Sequence, residues 1–245
     1  MPELSLVQLE ILAFATIVSL ISGVVRGFTG FGGPAIMVLA LTQFYSPASV
    51  LALVLLVDYV ANFQLAIGSI RRTQWRLAAP LTAASLVSVP VGIYLLQMVD
   101  PVMMKRSIAL VTGLCVCAMF WKFRYRRDAH ILLSIAVGLI GGIIVGATMI
   151  ALPIMIFIFA CPSNAEQARA NAITWGLFGG AGMIVVFALQ DMIKIDHLWQ
   201  AALITVFYMG GAFIGTRAFK KASETMFRRV VLFSLLGLSI IGVVT

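Results

Sequence analysis

Short charged or turn-rich segments cut this chain into ten apolar stretches, and that spacing restricts the available folds more than any other feature. The stretches run roughly over 8–26, 28–45, 48–69, 77–98, 102–121, 130–145, 146–160, 168–190, 197–216 and 228–245. A helix needs about 20 residues to cross a hydrocarbon core of about 30 Å, and most stretches reach that length. The second and seventh are short, and they hold corresponding places in the two halves. The runs are continuous rather than alternating, which predicts helices and argues against a barrel of strands. Composition agrees: 62% of the 245 residues are hydrophobic and 11% are charged, where a soluble domain carries about 25% charge. The expected fold class is all-α, a polytopic helical protein with the lipid bilayer as its solvent, multi-pass in the cell (inner or plasma) membrane. Glu3 and Glu10 stand where a cleavable signal peptide needs basic residues, so none is expected.

The halves match in order. "PVG" at Pro90–Gly92 precedes Lys105 and Arg106, and "FIG" at Phe213–Gly215 precedes Arg228 and Arg229 at the same separation. "SPAS" follows the second stretch as "SNAE" follows the seventh, and "TQWR" precedes the fourth as "DHLW" precedes the ninth. This order predicts an internal duplication: a first repeat over 1–121, a basic linker over 122–129 and a second repeat over 130–245. The net charge is +8, with the basic residues confined to short segments. That pattern suits membrane orientation rather than a nucleic-acid stripe, and no nucleic-acid partner is expected. Arg71, Arg72 and Arg76, the linker residues Lys122, Arg124, Arg126 and Arg127, and the group Arg217, Lys220, Lys221, Arg228 and Arg229 share one side if all ten stretches cross. The excess of Lys and Arg marks that side as cytoplasmic and leaves both termini outside. Five crossings per half would then invert the second repeat relative to the first, as in many secondary transporters.

The stretch "RGFTGFGGPAIM", Arg26 to Met37, breaks a helix where a crossing would continue. An extended segment Phe28–Gly33 followed by a short helix from Pro34 would cover the membrane thickness. Glycine permits such a backbone, and proline suits the first turn of the new helix. The helix N-terminus, near the midplane, would favour an anion through its free N–H groups and dipole. Irregular backbone at that depth must be buried in protein or line a watery cavity. Thr29, Gly30, Gly32 and Gly33 are therefore candidate substrate contacts, and "VGATMIALP" supplies Gly146, Ala147 and Thr148 in the second half.

A glycine cluster opening a short helix, an SP-type turn, a basic loop with "QWR" and a "PVG" helix, repeated once, resembles the TauE/SafE family of sulfite and organosulfonate exporters. The resemblance spans nearly the whole chain. It departs from the family's glycine run and later Val-Pro in two places: Leu39 stands where the later proline is expected in the first copy, and the second keeps Pro153 but only Gly146 of the run. The resemblance implies transport of a small sulfur oxyanion, by export of sulfite or an organosulfonate. A permease importing another anion or metabolite on the same scaffold is the alternative, and an enzyme is not expected.

Ionisable and polar residues within the apolar runs complete the candidate site. Asp58 is the only acid centred in such a run. At that depth an ionisable group costs about 2.5–3.5 kcal/mol on insertion scales, which points to proton coupling or to pairing with a base, the alternative being structural hydrogen bonding. Asn62 lies one turn on, to bind substrate or to join helices. Arg26 is expected at the anion, the alternative being a snorkelling arginine. Asn171 and Thr174 share a helix face, as substrate donors or as interhelical contacts. Trp75, Trp121 and Trp199 read as interface anchors. Gly30 to Ala35 fits G-x-G-x-x-A, but a helical membrane run precedes it where a dinucleotide site needs a strand. No cofactor is expected, and His130 and His197 are too far apart in sequence to suggest a metal site.

Overall fold

The computed structural model describes residues 6–120 and 130–219, the side chains of 6–11, 29, 119–120, 165, 195–197 and 219 excepted. Those residues fold as helices, with no strand among them. In chain order they are α1 (Leu6–Thr29), α2 (Gly33–Leu41), α3 (Pro47–Ser69), a 3-10 turn (Ile70–Arg72), α4 (Trp75–Met98), α5 (Pro101–Phe120), α6 (Ile131–Thr148), α7 (Leu152–Ala160), α8 (Ala165–Leu189) and α9 (Ile195–Phe219). Six helices are long and apolar enough to cross a membrane, and α1 adds the apolar segment Leu12–Phe28. This is a multi-pass membrane protein. The linker, with Trp121 and its four basic residues, lies outside the described residues, as do Lys220, Lys221 and the tenth stretch.

The two matched turns have a local physical meaning. Ser46 caps α3 through a bond from Ser49 N (3.4 Å), and Asn164 caps α8 through one from Gln167 N (2.8 Å). Each side-chain oxygen satisfies a backbone N–H that the first helical turn leaves without a partner.

The short helices α2 and α7 have nine residues each, about 14 Å of helix, too little to cross alone. Each folds back along the helix before it. A Cβ on Gly33 would meet the Ser22 carbonyl and Arg26 Cβ, and the Phe44 ring meets that of Phe14 with centroids 5.1 Å apart. So α2 returns antiparallel to α1. In the second half a Cβ on Gly141 would meet the Ile154 side chain, placing the start of α7 beside the middle of α6.

The break is shorter than the sequence suggested. α1 carries on through Phe28 to Thr29, and only Gly30–Gly32 separates it from α2. Gly30 (φ 80°) and Gly32 (φ 87°) hold left-handed backbone that makes the reversal within three residues. Gly33, not Pro34, opens α2. Likewise Gly146, Ala147 and Thr148 form the last turn of α6 rather than the break, because nothing in "VGAT" stops a helix until Met149 adopts a left-handed conformation (φ 58°). The chain therefore returns from each hairpin to the side it entered.

Two helix pairs carry the closest packing, α1 with α9 and α4 with α6. Gly23 and Gly27 lie against Tyr208 and Ala212, and Gly138, Gly142 and Gly146 lie against Leu81, Ser85 and Val89. The steady four-residue advance on both helices means that each pair runs parallel. Small residues let backbones approach where the lipid offers no hydrophobic drive for association. α3 and α8 run antiparallel across the centre, with Asn62 beside Gly176 and Tyr59 beside Gly180. α5 packs against both short helices. Arg71, Arg72, Arg76 and Arg217 fall at one end of this bundle, where Arg72 pairs with Glu166 at the start of α8. Trp75 and Trp199 sit near helix ends and are half exposed (45% each), as interface anchors would be.

Candidate functional site

The turn at Gly30 points its carbonyl at the helix it has just left, and Arg26 donates to that oxygen through Nη1. The guanidinium is buried, with 4% of the residue exposed, so it does not snorkel. Its Nη2 donates to Asn62 Oδ1, and its Nε lies 3.0 Å from Asp58 Oδ1, an ion-pair distance without the alignment of a hydrogen bond. Asn62 Nδ2 donates to Asp58 Oδ2 (2.8 Å) across one helical turn of α3. Tyr208, midway along α9, donates its hydroxyl to Asp58 Oδ1 (2.7 Å). Asp58 is therefore both paired and hydrogen-bonded, as a carboxylate in so apolar a setting must be. Arg169 of α8 closes the edge of the cluster. Its Nη2 donates to the Gly27 carbonyl (2.7 Å), to which Thr216 also donates (3.1 Å).

Beside this network is a cavity of about 50 Å³, room for a few water molecules or a small anion. Both helix breaks reach it: Phe31, Gly32 and Pro34 from the first, Met149, Ala151 and Leu152 from the second. Arg26, Asp58 and Asn62 supply its charge and amide groups. Ser85 of α4 and Trp175 of α8 line it too, joined by a bond from Trp175 Nε1 to Ser85 Oγ (3.2 Å). The remaining wall is mostly apolar. The first N–H groups of α2 and α7 have no partner within their own helices and begin at this cavity.

Of the residues singled out in the sequence, Arg26, Gly32, Asp58 and Asn62 come together at the cavity. Gly30 holds Arg26 from its rim. Gly33 packs α2 against α1 and Tyr208. Thr29 ends α1, its side chain outside the described residues. Gly146 packs on α4 at Val89. Ala147 is buried in the last turn of α6. Thr148 spends its hydroxyl on the Ile144 carbonyl (2.6 Å) and Ile150 N (3.2 Å). Asn171 and Thr174 lie off the cavity, at the α3–α4 loop. Gln74 N donates to Asn171 Oδ1 (2.8 Å), and Thr174 Oγ1 lies 2.6 Å from Thr73 Oγ1. Tyr208, Arg169 and Trp175 are the members that sequence reasoning had not placed here. A tyrosine inside an apolar run was the available signal for the first, since a buried phenol must find a partner. Among the described residues no group of His, Cys, Asp or Glu is placed to hold a metal ion.

Broken helices that bring backbone N–H groups, an arginine and a carboxylate to one cavity deep in a membrane bundle belong to transporters. The sequence comparison agrees with that class. The family model described as sulfite exporter TauE/SafE matches residues 15–241, and the chain belongs to that family of transporters, which carry sulfur anions through membranes and are not enzymes. No curated protein and no solved structure matches the chain.

Proposed function

We propose that the protein exports sulfite or an organosulfonate across the cell (plasma) membrane by alternating access around the central cavity. The supporting observation is the meeting of both helix breaks with Arg26, Asp58 and Asn62 at one cavity. The halves 1–121 and 130–245 act as inverted repeats joined by a cytoplasmic linker over 122–129. Helix directions support this reading. α3 continues in the direction of α1, α4 returns, and α6 runs parallel to α4, so α1 and its counterpart α6 point opposite ways. Exchanging the halves turns the α1–α9 pair into the α6–α4 pair. The anion sits at the two short-helix N-termini within reach of Arg26, which has five N–H donors and has three contacts accounted for. Asp58 carries a coupled proton.

An inside-negative potential favours exit of an anion moving alone by about 2.3 kcal/mol per charge per 100 mV, and a proton travelling with a singly charged anion cancels that drive. The test is flux from proteoliposomes loaded with sulfite or methanesulfonate, with and without imposed potential and pH gradients. Protein-dependent efflux of either anion that responds to a pH gradient is expected. Absence of flux for both would sink the reading, and net movement only inward would favour a permease working in the uptake direction.

A further inference from the structure

The hydrogen-bond inventory around Asn62 admits one amide orientation while Asp58 is ionised. Arginine only donates and a carboxylate only accepts. The amide oxygen must therefore face Arg26 Nη2, and the amide nitrogen must face Asp58 Oδ2, as they do. Oδ1 is held by Tyr208 and by the Arg26 ion pair, on the side of α1 and α9. A proton from the cavity that binds Oδ2 leaves that oxygen able to accept from Asn62 Nδ2, but the new O–H finds a donor, not an acceptor, in the amide group beside it. A buried O–H left without an acceptor costs about 1–3 kcal/mol. Turning the amide over removes the conflict: Asn62 Oδ1 accepts from the new Asp58 O–H. The same turn takes the acceptor away from Arg26 Nη2 and leaves the amide N–H₂ beside it. Two donors, Arg26 Nη2 and Asn62 Nδ2, then stand side by side on residues that line the cavity.

We propose that Asn62 is an amide switch that couples one proton to one singly charged oxyanion. The proposal deepens the transport reading above and rests on it. In the resting network Arg26 and Asp58 cancel. When the proton binds Oδ2, one O–H bond forms and the carboxylate charge is lost. An anion oxygen then accepts from Arg26 Nη2 and Asn62 Nδ2, and the anion's charge takes the place of the carboxylate's opposite Arg26. Neither event is favourable alone at low dielectric, since each leaves a charge without its counterpart. The charged and titratable groups around Asp58 are Arg26 from α1 and Tyr208 from α9, with Arg169 of α8 at the neighbouring Gly27 carbonyl and Tyr59 of α3 on the cavity wall. Gly176 of α8 keeps the amide's surroundings clear, because a Cβ there would lie 2.7 Å from Asn62 Oδ1. A sulfonate moving with one proton carries no net charge, so its flux follows the two concentration gradients and not the membrane potential.

Methanesulfonate is the probe, because it stays an anion throughout the working pH range. Calorimetry of its binding to the purified protein, in buffers of different ionisation enthalpy, counts the protons taken up per anion. Infrared difference spectra taken on binding report the groups that change. Wild type is expected to take up one proton per anion, with a new carboxylic-acid band and a shift of an asparagine side-chain band. Asp58→Asn should bind without proton uptake and lack the acid band. Asn62→Leu should lose the amide shift and weaken binding at least about tenfold at low pH. A purely structural Asn62 would leave the asparagine side-chain band of the wild type unshifted when methanesulfonate binds. Binding with no proton uptake in wild type, or an amide shift that survives Asn62→Leu, overturns the switch while leaving transport intact. Failure of the wild-type protein to bind or move either methanesulfonate or sulfite removes the transport reading and the switch together.

Discussion

An arginine and a carboxylate buried together are tolerable, whereas either alone is not. Removing one partner of a buried pair typically costs about 3–5 kcal/mol, while replacing both with apolar groups costs little or nothing. Arg26→Ala should therefore lower the melting temperature of the purified protein sharply, because it strands Asp58 beneath Tyr208 and Asn62. Arg26→Met/Asp58→Leu, which keeps most of the pair's volume, should recover most of that loss and still fail to bind methanesulfonate. A double variant no more stable than Arg26→Ala would mean that the pair is not the stabilising unit the geometry describes. Arg26, Asp58 and Asn62 were legible in the sequence because polar groups are costly inside apolar runs. Tyr208 was not, because its partner lies 150 residues away and one hydroxyl hardly alters an apolar pattern.

At the scale of the helices, glycine decides how closely two backbones pack, and adjacent glycines differ completely in what they meet. In α9 a Cβ on Gly211 would run into the Leu20 carbonyl of α1, whereas one on Gly210 would find nothing within 4 Å. Gly211→Ala should cost about 1–3 kcal/mol through overpacking. Gly210→Ala should be neutral or stabilising by up to about 1 kcal/mol, because alanine is the better helix former. Thermal melting of the two variants side by side checks this, and equal effects would contradict the assigned face of α9. The short helices show where sequence reading stops. Their existence and their glycine and proline punctuation were plain, but the fold-back of α2 onto α1 was not. Six residues of break permit an extended run, and only the packing of Gly33 on Ser22 and of Phe44 on Phe14 selects the hairpin.

Across the whole molecule, the proposed alternating access requires the two halves to separate alternately at each end. At the end where the basic residues gather, the α3–α4 loop of the first half is bonded to α8 of the second through Thr73–Thr174 and Gln74–Asn171. The two threonine oxygens are 2.6 Å apart, close enough for a disulfide in their place to need little backbone movement. Oxidised Thr73→Cys/Thr174→Cys protein, in a background lacking the native cysteines, should lose flux in proteoliposomes and regain it on reduction. Unimpaired flux while the bond is intact would show that this end does not open.

The solvent and the segmentation could be read from the residues alone. Continuous apolar runs of membrane length, with charge confined between them, leave helices in a bilayer as the one way to satisfy every backbone group. Glycine and proline then mark where a helix stops. Which groups spend their hydrogen bonds on one another follows from packing between helices. Asn171 and Thr174 share a helix face with substrate-site spacing, yet they bond the α3–α4 loop, while Trp175 beside them lines the cavity. Helical periodicity gives the direction of a side chain around its own axis. What that side chain meets depends on a second helix distant in sequence, and its distance and register are set by packing.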